Sequence, residues 1–232
     1  MDNSIALVTG ANTGIGKEIA RQLAGAGLTV YVASRDAARG ERAVDEIGGD
    51  TRLLVLDVTD AASIADAARQ VDTVDILVNN AGISGDGKTP DAEDLGTFRR
   101  IYETNVFGVI AVTNAFLPSL RRSAHPRIVN ISSGTGSLAT TAGQDSAAFA
   151  AYRSSKTALN MVTVLYAKAL AGDGLKVNAL APGLRRTGLN ARAASSDGDP
   201  AEAAAGAVRL ALLPDDGPSG GFFSWDGTPV PW

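Results

Sequence analysis

The chain has 232 residues, 45% of them hydrophobic and 20% charged, which is the composition of a globular protein rather than of a disordered or fibrous one. Its formal net charge of -4 provides no basic face for nucleic acid, and the absence of cysteine excludes disulfides and thiolate metal sites. His125 is the single histidine, so we predict no metal site and acid–base chemistry that depends on other side chains.

The distribution of apolar residues predicts a protein without a leader or a membrane helix. The N-terminus lacks a basic region followed by a long apolar stretch, and no run approaches the roughly 18 apolar residues that a membrane helix needs. We therefore expect a soluble, cytoplasmic protein. A chain of this length can bury one full core, and we expect a single domain over residues 1–232.

Strand-like and helix-like patterns alternate along the chain. Strands are predicted at 5–8, 28–33, 52–56, 74–78, 127–132, 176–180 and 221–225. Helices are predicted at 15–26, 37–47, 61–71, 91–120, 147–171 and 201–213. We expect Asp36 to cap the second helix and Pro90 to stand at the start of the long fourth one.

This alternation predicts an α/β fold, a doubly wound (Rossmann) parallel sheet of about seven strands with helices on both faces. Ligands of such folds bind beyond the carboxyl ends of the strands, so residues directly after each strand are candidates for the site. The segment 183–206 is rich in small and polar residues, and we take it as a candidate substrate loop.

A glycine-rich stretch, residues 9–16, follows the first predicted strand. Gly10, Gly14 and Gly16 allow a sharp turn with a close backbone approach, and the helix that follows presents free N–H groups to an anion. The spacing departs from the usual dinucleotide fingerprint. On its own, this stretch fits a cofactor pyrophosphate and a purely structural turn equally well.

Two further features offer chemistry. Tyr152 and Lys156 are four residues apart, on one face of a predicted helix, where a cation beside the phenol favours the phenolate and lowers the pKa of Tyr152. An exposed pair on a solvated helix is the alternative. Ser133 follows the fifth predicted strand, as a candidate hydroxyl at the ligand edge or as a simple turn former.

Taken together, the motifs resemble those of the short-chain dehydrogenase/reductase family over nearly the whole chain. The matching residues, in order, are Thr9-Gly-x-x-x-Gly-x-Gly16, Asn79-Asn80-Ala81-Gly82, Asn105, Ser133, Tyr152-x-x-x-Lys156 and Pro182-Gly183-x-x-x-Thr187. The end of the chain, from Gly220 to Trp232, resembles carbonyl-reductase-like bacterial members.

The resemblance implies four catalytic residues. Tyr152 would be the general acid or base, Lys156 would hold the nicotinamide ribose and lower the pKa of Tyr152, and Ser133 would hydrogen-bond the substrate oxygen. Asn105 would hold a water between Lys156 and solvent, or would be only a polar residue at a helix kink.

It also implies the cofactor-binding set. Asn79 would partly support the sheet, Asp57 would meet the adenine, and Pro182, Gly183 and Thr187 would meet the nicotinamide end. The full set is Gly10, Asn12, Thr13, Gly14, Ile15, Gly16, Arg35, Asp57, Val58, Asn79, Ala81, Gly82, Tyr152, Lys156, Pro182, Gly183 and Thr187.

The end of the second strand predicts which nicotinamide cofactor is used. NAD enzymes place a carboxylate there, but in the family's register this position is Ser34, and Arg35 follows where NADP-preferring members carry arginine. We assign Asp36 to the helix cap and predict that NADPH (NADP⁺) is preferred over NADH.

These residues predict a carbonyl-reductase-type oxidoreductase that transfers hydride between nicotinamide and a small or medium ketone, aldehyde or secondary alcohol. The alternatives are a catalytically silent NADP-binding sensor or partner-binding protein, and, with less support, a sugar-nucleotide epimerase. A homodimer or homotetramer fits the resemblance. The spacing of 19 residues from Ser133 to Tyr152 is longer than most members show. Arg185, where members often have an apolar residue, could lie near the substrate mouth, but we favour a solvated surface side chain.

Overall fold

The structure of the protein is a computed structural model that describes residues 4–232. Its centre is a parallel sheet of seven strands in the order β3-β2-β1-β4-β5-β6-β7. The strands are β1 (Ile5–Thr9), β2 (Thr29–Ser34), β3 (Thr51–Val55), β4 (Ile76–Asn79), β5 (Arg127–Ile131), β6 (Lys176–Ala181) and β7 (Phe222–Ser224). The predicted doubly wound sheet is confirmed, and each strand lies within about two residues of its predicted position at either end.

Nine α-helices connect or flank the described strands. They are α1 (Gly14–Gly25), α2 (Ala37–Ile47), α3 (Ala61–Gln70), α4 (Leu95–Tyr102), α5 (Gly108–Leu120), α6 (Leu138–Ala142), α7 (Ala150–Ala169), α8 (Ala191–Ala194) and α9 (Pro200–Ala211). Within residues 4–232, no helix has the length and apolar character needed to cross a membrane.

Both faces of the sheet are covered by helices. On one face, Ile19 and Leu23 of α1 pack with Ala207 and Leu210 of α9 against apolar strand residues. On the other, the fully buried Phe116 of α5 packs among apolar residues from α3, α7 and the strands. Burial on two sides explains why the central strands have nearly continuous apolar sequences.

The strands β1 to β3 extend the sheet to one side and β4 to β7 extend it to the other, so the direction of winding reverses between the neighbouring central strands β1 and β4. Their carboxyl ends are bound to each other, because the Thr9 hydroxyl accepts hydrogen bonds from the backbone N–H groups of Asn80 (2.9 Å) and Ala81 (3.0 Å). A crevice at the carboxyl edge is expected at such a reversal point.

The prediction of one long helix over 91–120 is wrong at the start and in the middle of that range. The observed helix α4 begins at Leu95, because the Asp94 side chain caps it by accepting from the Thr97 N–H, and Pro90 lies outside the helix. A π-helical turn, Glu103–Phe107, interrupts it. Two short helices, α6 and α8, have no predicted counterpart, because their segments contain too few residues for a periodic apolar pattern.

Candidate active site

A cleft of about 460 Å³ opens at the carboxyl edge of the sheet, where the strand order reverses. Most of the predicted cofactor-binding residues line it. They are Gly10, Asn12, Thr13, Gly14, Ile15, Gly16, Arg35, Asp57, Val58, Ala81, Gly82, Tyr152, Lys156, Pro182 and Thr187. The fold therefore brings together residues from the segments that follow each of the strands β1 to β6.

The glycine-rich loop forms one wall of the cleft through close backbone contacts. A Cβ atom on Gly16 would lie 2.6 Å from the Gly10 carbonyl oxygen, so no other residue fits there. Thr13 precedes α1 without a side-chain capping bond, and the first turn of α1 contains no acidic residue. The first amides of α1 thus remain available to an anion, and the loop fits a nucleotide pyrophosphate.

The segment from the end of β2 to the first turn of α2 provides two cations to the cleft. Asp36 is the cap of α2, as predicted, because its carboxylate accepts from the Arg39 N–H at 3.0 Å. Ser34 is buried, and its hydroxyl donates to the Asp36 carbonyl at 2.8 Å. Arg35 and Arg39 both line the cleft. Sequence reasoning missed Arg39, although its place in the first turn of α2, one turn beyond Arg35, could have suggested it.

Asp57 lies at the same end of the cleft. Burial opposes its ionisation, but hydrogen bonds from the Thr59 N–H (2.9 Å) and hydroxyl (2.7 Å), together with the charge of Arg35, outweigh burial and hold the pKa of Asp57 below its usual range. This carboxylate is therefore ionised at neutral pH.

At the other end of the cleft, α7 presents Tyr152 and Lys156 next to the end of β5. Tyr152 is half-buried, whereas Lys156 is only 4% exposed. The Lys156 ammonium donates to the Ile131 carbonyl at 2.8 Å and lies 5.8 Å from the centre of the Tyr152 ring. Both residues face the cleft, so the alternative of an exposed pair on a solvated helix is wrong.

The two serines after β5 point in different directions. The Ser132 hydroxyl is buried and donates to the Asn160 side chain at 2.5 Å. Ser133 is partly exposed, caps the short 3-10 turn Gly134–Gly136, shares a 2.9 Å hydrogen bond with the Thr135 hydroxyl, and lies close enough to the Tyr152 phenol to affect its pKa. A Cβ on Gly136 would lie 2.8 Å from the Lys156 carbonyl carbon, which shows how closely this turn packs against α7.

The pKa of Tyr152 differs from the sequence expectation. Burial raises the pKa of the phenol, and the hydrogen bond with Ser133 only partly opposes this. Burial thus outweighs the lowering expected from Lys156, whose ammonium donates to the Ile131 carbonyl, and burial also lowers the pKa of Lys156 itself to about 8. At neutral pH the phenol is protonated and the ammonium is still mostly charged.

Asn105 lies at the centre of the π-helical turn and is fully buried. Its side chain accepts from the Ile83 N–H at 2.9 Å and donates to the Ile83 carbonyl at 3.0 Å and to the Ser155 hydroxyl at 3.0 Å. Its oxygen and the Lys156 ammonium both lie next to Gly82, 3.3 Å and 3.5 Å from the position of a Cβ there. Asn105 therefore shapes the cleft wall from behind; its role in a water relay stays a prediction.

Two predicted cofactor residues do not line the cleft. Asn79 is buried in β4 and donates to the side chains of Thr113 (3.1 Å) and Asn130 (2.9 Å), so its role in the structure is to join strands and helix. Gly183 is exposed and has a positive φ of 71°, directly before the loop that follows β6.

The interpretation of Arg185 as a solvated surface residue is wrong. Its side chain is only 9% exposed, and the guanidinium carbon lies 4.4 Å from the centre of the Trp225 ring. One nitrogen pairs with Glu202 at 3.3 Å. Trp225 follows β7 and Glu202 belongs to α9, so only the fold brings these residues to Arg185.

Known proteins with a similar sequence or structure point to one family. The family model for short chain dehydrogenases matches residues 4–198. Salutaridine reductase of Papaver bracteatum is 33% identical, with 94% of this chain and 93% of that protein covered.

Two solved structures resemble this one over almost their whole length. The NADPH-bound carbonyl reductase from chicken fatty liver has a TM-score of 0.88 and 28% identity, with 100% of both chains covered. The 3-ketoacyl-(acyl-carrier-protein) reductase from Brucella melitensis, complexed with NADH, has a TM-score of 0.86 and 26% identity, with 96% of each chain covered. Because the family model matches most of the chain, from the first strand to the loop after β6, this protein belongs to the short-chain dehydrogenase family and is an oxidoreductase that uses a nicotinamide cofactor.

Proposed function

We propose that this protein is an NADPH-dependent carbonyl reductase, formed by one domain over residues 1–232, that transfers hydride between nicotinamide and a small or medium ketone, aldehyde or secondary alcohol. The observation that carries the proposal is the meeting of Tyr152 and Lys156 in the cleft that the glycine loop borders, with Ser133 just after β5 and close to the Tyr152 phenol.

Each of these residues has a definite part in the reaction. The Tyr152 phenol, protonated at neutral pH, donates its proton to the substrate oxygen during reduction and accepts it back during oxidation. The Ser133 hydroxyl donates a hydrogen bond to the same oxygen as negative charge develops on it. The Lys156 ammonium holds the ribose hydroxyls and stabilises the phenolate that forms after proton transfer.

The cofactor supplies the hydride when it is bound. The glycine loop and α1 would hold its pyrophosphate, Asp57 with Val58 its adenine, and Pro182 with Thr187 its nicotinamide end.

The preference for NADPH is supported by charge. Arg35 and Arg39 line the adenosine end, where Asp36 is engaged as a helix cap and in an ion pair with Arg39 at 3.5 Å, and Asp57 accepts hydrogen bonds from Thr59. A 2′-phosphate would thus meet two guanidinium groups. The chicken carbonyl reductase carries NADPH and the Brucella reductase NADH, so relatives exist of both kinds.

The test is a panel of ketones, aldehydes, steroids and cyclic alcohols, assayed by nicotinamide absorbance with NADPH and with NADH. We expect turnover of at least one carbonyl class, with a higher kcat/KM for NADPH. Tight NADPH binding without turnover on the whole panel would overturn the proposal, and a higher kcat/KM with NADH would overturn the cofactor assignment.

A further inference from the structure

Arg185 is a buried cation that the proposed reaction does not use. Its Nη1 pairs with Glu202, which is 50% exposed, while its Nε and Nη2 have no hydrogen-bond partner among residues 4–232. Leaving buried guanidinium nitrogens unpaired is unfavourable, so the burial of Arg185 calls for a structural or functional explanation.

Arg185 lies at the base of a loop formed by residues 184–198. We call the paired ends of this loop, residues 184–186 and 196–198, its neck. The Arg186 N–H donates to the Gly198 carbonyl at 2.8 Å, and the Ser196 hydroxyl donates to the Leu184 carbonyl at 3.2 Å, so the two ends of the loop are bound side by side. A Cβ on Gly198 would lie 2.9 Å from Arg185 Nη1 and would collide with the Leu184 carbonyl. The second end of the neck thus lies directly against the guanidinium.

Beyond the neck, the same loop reaches the cleft. Thr187, Gly188 and Leu189 line it, and the Asn190 amide donates to the Ser84 hydroxyl at 3.2 Å. Ser84 follows Ile83, which Asn105 holds in place. A small rotation of the neck would therefore move the loop wall relative to the residues around Tyr152.

We infer that Arg185 is a positioning residue that fixes the neck of loop 184–198 to Trp225 and Glu202 and so holds Thr187–Leu189 at the cleft, where this loop closes over substrate. The closing of the loop over substrate rests on the proposed function, whereas the fixing of the neck by Arg185 does not. A planar guanidinium can stack on the Trp225 indole and pair with Glu202 at the same time, in one fixed orientation. A lysine retains the charge but lacks the plane.

The experiment compares Arg185→Met with Arg186→Met. Arg186 is the exposed neighbour, and its methionine variant keeps the backbone N–H that binds Gly198, so it controls for the loss of a loop arginine. Hydrogen exchange is followed by mass spectrometry in peptides from 186–196, with NADPH present, together with the KM and kcat of any substrate found.

In Arg185→Met we expect exchange in 186–196 to be about tenfold faster while the strand peptides are unchanged, because the loop opens locally. We expect KM to rise about 5- to 20-fold with kcat within about threefold, since the loop binds substrate but does not carry out the chemistry. Arg185→Lys should recover only part of both effects, and Arg186→Met should behave as wild type.

Unchanged exchange in 186–196 of folded Arg185→Met would overturn the inference, and so would faster exchange spread evenly over the whole sheet. If Arg185→Met does not fold, Glu202→Gln removes the ion pair and Trp225→Leu removes the aromatic face from the other side, and each should accelerate exchange in the same peptides. The exchange result does not depend on turnover, so a failure of the proposed function and a failure of this inference are distinguishable.

Discussion

The side chain of Asn105 binds both backbone groups of Ile83, accepting from its N–H at 2.9 Å and donating to its carbonyl at 3.0 Å. The same amide donates to Ser155, one residue before Lys156. A side chain in the π-helical turn therefore fixes the loop after β4 and the helix α7 relative to each other. Asn105 acts in this way whether or not a water molecule is also held there.

Replacing Asn105 with alanine should lower both stability and activity. The Ile83 N–H, the Ile83 carbonyl and the Ser155 hydroxyl would each lose their hydrogen bond to the buried amide, and we expect the free energy of unfolding to fall by about 2–4 kcal/mol. Denaturation in urea and steady-state kinetics measure the two effects. Glu103→Gln, in the same turn but exposed, is the control and should change neither. An Asn105→Ala protein as stable as wild type would contradict this account.

Replacing Tyr152 with phenylalanine should abolish turnover without loss of cofactor. The ring and its packing remain, but the proton donor is removed, and we expect kcat to fall about 10²- to 10⁴-fold with the Kd for NADPH within about twofold. Tyr166→Phe removes a hydroxyl from the same helix, one that donates to Asn114 at 2.7 Å, and should retain full activity. Activity surviving in Tyr152→Phe would refute the assigned acid.

Removing the cations at the adenosine end should weaken NADPH binding selectively. For Arg35→Ala and Arg39→Ala we expect Kd for NADPH to rise about tenfold each, more steeply at low salt, with Kd for NADH nearly unchanged. Fluorescence titration measures both constants. Arg42→Ala is the matched control, since Arg42 is exposed on α2 away from the cleft. Equal losses for the two cofactors would show that these arginines do not select the phosphate.

The buried Lys156 should make stability depend on alkaline pH. Burial lowers the pKa of Lys156 from 10.5, the value of a solvated lysine, to about 8, so between these values the unfolded chain binds more protons than the folded one. Stability should thus rise with pH in this window, by about 2 kcal/mol between roughly pH 7 and pH 9.5, and should be level below it. Urea denaturation at several pH values measures the effect. Lys156→Met should lack this rise; an identical profile in both proteins would contradict the burial of the charge.

The turn after β5 offers a prediction with an internal control. Alanine at Gly136 would press its Cβ on the backbone of Lys156 and Thr157, whereas a Cβ on Gly134 meets no atom within 4 Å. We expect Gly136→Ala to lose about 1–3 kcal/mol of stability and much of its activity, because the turn that carries Ser133 is pushed away from α7. Gly134→Ala should be close to wild type in both assays, and similar losses in the two variants would argue against close packing as the cause.

The amino-acid sequence by itself determined the strands, the doubly wound order of elements, the glycine loop, the Asp36 cap and the Tyr152–Lys156 pair. These depend on apolar periodicity and on short spacings along the chain, which any reader of the sequence can measure. Only the tertiary structure decided the π-helical turn at Asn105, the place of Arg39 at the cleft, the rise in the pKa of Tyr152 and the burial of Arg185 against Trp225. The burial of a side chain and its stacking on another depend on residues from distant parts of the chain. A local sequence pattern does not contain those residues, so it cannot predict either effect.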